Sequence, residues 1–261
     1  MGQKIYQVDA FTPKLFGGNP AAVCILDAWL PDETMQQIAS ESRLSETAFT
    51  VKENEKYTIR WFTPDREVKL CGHATLATAH VLFEHLDYSG RIIAFHSPHS
   101  GALRVEKTDE GLVLDFPADT IEEIRIPYDV IKTLHVSPVK AYKGKTDFMF
   151  VFAGRSEIEN MKPDFKLLAE MGGRGVIVTA PGVDVDFVSR FFAPQTGINE
   201  DPVTGSAHTT LTPYWAEVLG KKKLVARQVS ARGGELVCED LGERVKIAGK
   251  AVTYMVGELC I

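Results

Sequence analysis

The sequence predicts an α+β fold made of two similar halves, each a mostly antiparallel sheet that holds one well-buried apolar helix. Three observations carry this. A strand–loop–helix segment occurs twice: Arg60-Trp61-Phe62-Thr63-Pro64 leads to Leu70-Cys71-Gly72-His73-Ala74-Thr75, and Arg190-Phe191-Phe192-Ala193-Pro194 leads to Val203-Thr204-Gly205-Ser206-Ala207-His208. The elements around each copy follow one order. Each helix opens on a glycine and small residues, with no acid or large side chain over its start. The first N–H groups of such a helix lack intrahelical partners and the helix dipole adds positive potential, so two bare starts are two ready anion sites.

The elements of the first half follow in order. Ile5 to Phe11 alternates as a strand does. Gly17-Gly18-Asn19-Pro20 reads as a turn, and Ala21 to Leu26 as a buried strand. Pro31-Asp32-Glu33 opens a helix: proline suits its first turn, the acids suit its dipole, and Met35, Ile38 and Ala39 give it an apolar face. It ends near Leu44. Strands follow over Thr47 to Val51 and Tyr57 to Phe62. The first glycine-opened helix spans about Gly72 to His85, buried through Thr75, Leu76, Ala79, Leu82 and Phe83. Strands near Arg91 to Phe95, Leu103 to Lys107 and Leu112 to Phe116 close the half.

The second half repeats the order. Phe148 to Phe152 corresponds to Ala21 to Leu26, and Pro163-Asp164 opens a helix as Pro31-Asp32 does. Val176 to Thr179 stands for Thr47 to Thr50, and Phe187 to Phe192 for Tyr57 to Phe62. Ser230 to Leu236 echoes Ser97 to Leu103. Leu211, Trp215 and Leu219 bury the second glycine-opened helix, where Pro213 predicts a kink or a restart. Two long copies are a duplication and not a solenoid. The boundary falls near Pro117 to Pro127, which gives lobes 1–118 and 119–261.

Composition narrows the function class. A chain of 261 residues, 44% hydrophobic and 25% charged, needs no staples to bury a core. Its net charge of −6 and pI of about 5.7 argue against nucleic acid and anionic membranes. Cysteines 24, 71, 238 and 260 are scattered without a CxxC, so a zinc knuckle or thioredoxin-type site is disfavoured. With no signal-like or membrane-spanning apolar run, a reducing cytoplasm is the expected setting. His73, His80 and His85 share one helix without the three- or four-residue spacing that pairs ligands, and no metal is expected. Gly172-Gly173-Arg174-Gly175 lacks the ending of a phosphate loop.

Residues that break the internal symmetry are the candidates for chemistry, because proton transfer needs distinct roles on its two sides. Glu46 precedes its strand, while its counterpart lies near Gly175. Asp201 stands opposite Val68, in a loop that spans 11 positions from Pro194 to Gly205 against 8 from Pro64 to Gly72. Thr204 stands opposite Cys71 and Ser206 opposite His73. Each has a plain structural reading too: loop acid for Glu46, turn former for Asp201, helix caps for Thr204 and Ser206, loop-orienting cap for His73, small buried hydrophobe for Cys71. Enclosed, Glu46 would have a raised pKa and suit a group that gives and takes a proton near neutral pH.

These motifs resemble the phenazine-biosynthesis PhzF-like isomerase family. The segments are Tyr6 to Phe11, Phe16-Gly17-Gly18-Asn19-Pro20-Ala21, Ser45-Glu46-Thr47-Ala48-Phe49, Cys71 to Thr75, Glu200 to His208, Pro213-Tyr214-Trp215 and Ser230 to Gly234, in order over nearly the whole chain. The resemblance implies the diaminopimelate-epimerase-like fold: two pseudo-symmetric domains, each a curved sheet or barrel around a central helix, with the active site in the cleft between them. It implies a cofactor-free isomerase, commonly a homodimer, acting on a small carboxylic acid. By position, Glu46 matches the general acid/base. His73, Asp201 and Ser206 match polar residues of the site, and Gly72 and Gly205 match the helix starts that hold the substrate carboxylate. Related two-base racemases place a thiol before each glycine helix. Here the pair is Cys71 and Thr204, and a hydroxyl without a partner is too weak a base. A single-carboxyl proton shift is therefore preferred, with a Cys71-dependent racemase and a catalytically silent small-acid binder as alternatives.

Overall fold

Apolar–polar alternation forms β1 (Gln3–Ala10), and the small, apolar Asn19–Leu26 forms β2 antiparallel to it. Helix α1 (Asp32–Ser42) opens behind Pro31 with Asp32 and Glu33 in its first turn and ends on Arg43 in the left-handed region, φ 51°. It buries Met35, Ile38 and Ala39 and returns the chain to β3 (Glu46–Glu53), which runs parallel to β2. Strand β4 (Lys56–Phe62) is antiparallel to β3, and the two-residue β5 (Glu67–Val68) folds back on β4. Helix α2 (Gly72–His85) then crosses to β6 (Ile92–Ser97), parallel to β4; β7 (Gly101–Thr108) and β8 (Gly111–Pro117) continue antiparallel. The computed structural model describes residues 2–54 and 56–261.

Most of α2 is buried, from His73 through Ala79 and again at Val81, Leu82 and Phe83. It packs on β1, β2, β3 and β7, which makes it the helix enclosed by this unit's sheet. Truncating a core side chain such as Leu76 or Leu82 to alanine would cost about 2–5 kcal/mol.

The second unit repeats the pairing. After β9 (Glu122–Ile124) and α3 (Tyr128–Leu134), β10 (Lys140–Lys143) pairs antiparallel with β9 and with β11 (Asp147–Val151). Helices α4 (Arg155–Glu159) and α5 (Phe165–Glu170), the latter capped by Asp164, lead to β12 (Gly175–Pro181), parallel to β11. Strand β13 (Phe187–Ala193) is antiparallel to β12, and β14 (Ile198–Asp201) folds back on it. Helix α6 (Gly205–Leu219) leads to β15 (Lys223–Gln228), parallel to β13, then β16 (Gly234–Asp240) and β17 (Arg244–Gly249). The expected correspondence holds at single-residue register: Glu46 opposes Ala21 as Gly175 opposes Asp147, and Val68 opposes Trp61 as Asp201 opposes Phe191.

One ion pair is repeated as well. Arg60 grips Glu67 with Nε and Nη2, both at 2.7 Å, and Arg190 grips Glu200 at 2.7 and 2.9 Å. Each guanidinium lies over the phenylalanine two residues on, 5.1 Å from Phe62 and 4.9 Å from Phe192. Two parallel N–H···O bonds fix geometry as well as charge. They pin β5 and β14, the segments that deliver the chain to each glycine helix.

Two expectations change. The lobe boundary at 119–261 does not hold at its far end: the units are Met1–Asp115 with Ala248–Ile261, and Phe116–Ile247. The cause is β18 (Ala251–Leu259), which pairs antiparallel with all of β1. Nor does Pro213 divide α6, which is helical throughout. A proline at 213 leaves the Thr209 carbonyl without its helical donor. The Asp119 backbone N–H takes that place at 3.2 Å, and the Asp119 carboxylate accepts from Thr210 Oγ1 at 2.9 Å.

Gly175, the counterpart of Glu46, has no room for a side chain, since a Cβ there would lie 2.3 Å from Phe191 Cζ. Gly175→Ala is expected to lower stability by about 1–3 kcal/mol through overpacking. Phe191→Leu in the same chain should recover part of it. Additive losses in urea unfolding would refute the clash.

Candidate active site at the glycine-opened helices

Strand β3 and helix α2 bring the first group together. Glu46 is the first residue of β3 and His73 the second of α2. His73 Nε2 lies 3.2 Å from Glu46 Oε2, with side chains only 6% and 15% exposed. At the other ring nitrogen, Asn19 Nδ2 sits 3.2 Å and Cys71 Sγ 3.5 Å from Nδ1. Burial holds the His73 pKa down at about 3, so the ring is neutral at pH 7. With the Asn19 amide donating to Nδ1, the ring proton resides on Nε2 and faces the Glu46 carboxylate.

Cys71 precedes α2 in extended conformation, gives its helix no side-chain cap, and no acid occupies the first turn. The Thr75 hydroxyl bonds back to the Cys71 carbonyl at 2.6 Å, which fixes the first turn from inside. The Gly72 start therefore has no side-chain cap from Cys71, and Cys71 and His73, which flank Gly72, lie beside Glu46.

The second group is built on β14 and α6. Thr204 precedes α6 in extended conformation, again without a side-chain cap or a first-turn acid. Its hydroxyl instead donates to Asp201 Oδ2 at 2.5 Å. Gln228 braces this segment: Oε1 accepts from the Thr204 N–H at 2.9 Å, and Nε2 donates to the Asp201 carbonyl at 2.7 Å. Ser206 Oγ accepts from Arg174 Nη1 at 2.9 Å, which leaves its own proton available to donate. Arg174 is held in turn by Asp147, through Nε at 2.9 Å and through Nη2.

In each unit, then, a residue at or just before the strand start touches the second helix residue: Glu46 opens β3, and Arg174 precedes Gly175, the counterpart of Glu46. In the first the pair is carboxylate and imidazole; in the second it is guanidinium and hydroxyl. The sequence reading named Glu46, Gly72, His73, Asp201, Gly205 and Ser206. It missed Asn19, read as a turn residue, and Arg174, whose glycine-rich setting suggested only a phosphate loop to be rejected. It also missed Gln228, for which no sequence signal exists. Thr204 has the partner that a lone hydroxyl lacked, Asp201.

His80 and His85 are not near this group: both hydrogen-bond Thr253 Oγ1, at 2.9 and 2.7 Å. Trp61 and Trp215 are core, 1% and 2% exposed. Among the described residues no helix is long and apolar enough to cross a membrane.

Comparison with known proteins bears on fold and family. Residues 8–257 match the model of the PhzC-PhzF family, described as phenazine biosynthesis-like protein. An uncharacterized isomerase of Pseudomonas aeruginosa is 55% identical over 260 residues, covering 99% of each chain. A crystal structure of a PhzF-family phenazine biosynthesis protein from Enterococcus faecalis superposes with TM-score 0.97 at 49% identity, covering 100% of each chain. A hydroxyproline epimerase of Agrobacterium vitis, with bound trans-4-hydroxy-L-proline, shares the fold at TM-score 0.63 and 11% identity, covering 98% of this chain and 92% of that one. The expected epimerase-like α+β fold and the family resemblance are both borne out.

The buried rings give a pH dependence. His208 lies on α6 with Nδ1 2.8 Å from the Thr204 carbonyl, and burial lowers its pKa to about 4. His73 and His208 both stay neutral in the fold, while an unfolded chain protonates them below about pH 6.5. Their stabilisation is complete above that pH and is lost as pH falls toward 4, by about 1.4 kcal/mol per pH unit for each ring. Urea unfolding at pH 7, 6 and 5 should show this slope. His208→Asn, whose amide can keep the bond to Thr204, should lower the slope by about one third, because burial also holds His80 down at about 4 and it adds to the slope as His73 does; an unchanged slope would disprove the assignment.

Proposed function

The chain belongs to the phenazine biosynthesis-like PhzC-PhzF family, and on that premise we propose that it is a cofactor-independent isomerase that moves a proton within a small amino-substituted or unsaturated carboxylic acid. The observation that carries the proposal is the Glu46 carboxyl, nearly buried, 3.2 Å from a neutral His73 and beside an uncapped helix start.

In this reading the substrate carboxylate takes the N–H groups at a glycine helix start, of which the Gly72 start adjoins Glu46; such a start favours an anion by about 0.3–1 kcal/mol, more where water is excluded. Glu46 takes a proton from carbon. The electron pair left behind moves into the conjugated system toward the bound carboxylate, whose new charge the helix N–H groups stabilise. Glu46, now a carboxylic acid, returns the proton at a second carbon, so the product is an isomer and the enzyme is regenerated. His73 Nε2–H orients the carboxylate and polarises the substrate. In the second unit, Asp201 and Ser206 are the polar groups proposed for ligand contact, Asp201 to accept and Ser206 to donate. The first unit supplies the proton carrier, and the proposed assembly is a homodimer in the cytoplasm.

Glu46→Gln keeps size and removes the base. In heavy water, with a panel of small amino and unsaturated acids, it should lower turnover and carbon-bound deuterium uptake by about 100- to 10,000-fold. Undiminished exchange would take Glu46 out of the mechanism, and a panel inert with the unaltered protein would favour a silent binder.

The Cys71 Sγ contact with His73 Nδ1 at 3.5 Å favours a second reading, an amino-acid racemase with a thiolate base. It requires that Cys71→Ser abolish solvent exchange while Glu46→Gln retains it. The first reading requires the opposite order of losses.

A further inference from the structure

Glu46, Cys71 and His73 together do something that neither the proton shift nor the helix start requires. One donor atom from each lies within 4.8 Å of the other two, and this is the one such set of three among the described residues. The donors differ in kind: a carboxylate oxygen, an imidazole nitrogen and a thiol sulfur. Oxygen, nitrogen and sulfur donors all serve zinc, and three protein ligands leave its fourth tetrahedral position to water.

We propose that these three side chains form a zinc-binding site, and that a bound Zn2+ silences the protein by occupying the carboxyl that the proposed isomerisation needs. The binding stands by itself; only the silencing rests on the proposed function.

The geometry is close to what zinc asks. Bond lengths of about 2.0 Å to nitrogen and oxygen and 2.3 Å to sulfur place neighbouring ligand atoms about 3.3–3.8 Å apart. The His73 Nε2 to Glu46 Oε2 separation is already 3.2 Å. Cys71 Sγ lies within 4.8 Å of the other two donors, so bound zinc has to draw it inward from its present contact with Nδ1. An outer partner is in place as well. A histidine bound to metal through Nε2 carries its proton on Nδ1, and Asn19 sits 3.2 Å from that atom. Rotating the Asn19 amide by half a turn presents its oxygen as acceptor, the usual brace of a metal-bound imidazole. Access is from the Glu46 side, the most exposed of the three. The thiolate and carboxylate neutralise the ion. The positive end of α2 opposes it, at a cost of less than about tenfold in affinity.

The other cysteines provide the controls. Cys24 and Cys238 are buried, with thiols that burial pushes up to about 12, and Cys260 is exposed. The experiment is titration of the metal-free protein with Co2+, followed by absorbance, and with Zn2+ by equilibrium dialysis. The expected result is one equivalent bound, with a thiolate-to-cobalt charge-transfer band that Zn2+ removes. Cys71→Ser, close in size and so expected to fold, should lose the band and weaken Zn2+ binding by 100-fold or more, while Cys260→Ser keeps both. Asn19→Ala should weaken binding by about 10- to 100-fold. No stoichiometric binding, or a band that survives Cys71→Ser, overturns the proposal. If Glu46→Gln abolishes solvent exchange while the cobalt spectrum never appears, the metal site falls and the isomerase reading stands. If zinc binds in one equivalent but exchange does not depend on Glu46, the site stands and the silencing falls.

Discussion

The constraint repeated in both units is a helix start left without a side-chain cap inside folded protein. A residue such as aspartate at the cap position would bond the first N–H groups and stabilise the helix by about 1 kcal/mol. Here Cys71 and Thr204 hold the cap positions and neither side chain bonds its helix. The local loss is offset by anchoring from elsewhere: Thr75 bonds back to the Cys71 carbonyl, and Gln228 braces the Thr204 segment. The bidentate arginine–glutamate pair holds the approach strand in both units. The scaffold supplies the order that a cap would have given, and the N–H donors stay available.

Duplication supplies two uncapped helix starts, and the departures from symmetry set the two units apart. Phe191 against Gly175 leaves no space for a second Glu46, so that carboxylate has no counterpart in the second unit. In the second unit the charge has moved to Arg174, neutralised by Asp147 across the parallel strand pair. A hydroxyl that accepts from a guanidinium, as Ser206 does from Arg174, keeps its own proton to donate.

Much of this was legible in the sequence, because it is written in local pattern. The span of α2, Gly72–His85, followed from glycine, small residues and an apolar face. The pairing of Glu46 with Gly175, and of Asp201 with Val68, followed from aligning the two copies. What escaped was non-local. Glu46, Cys71 and His73 are separated by a strand, a hairpin and a loop, so histidine spacing along one helix said nothing about them. Asn19 looked like turn chemistry because its role is set by a ring 54 positions away. Pro213 looked like a helix breaker because its freed carbonyl finds its donor, Asp119, outside the helix.

The return of β18 to β1 has a consequence for how the protein is made on the ribosome. The first unit emerges early, yet one edge of its sheet waits for residues 251–259. The second unit, continuous from 116 to 247, can complete its fold before that. The first unit's sheet is therefore completed only after the second unit has emerged, and until then the β1 edge that β18 will cover stays open to other strands.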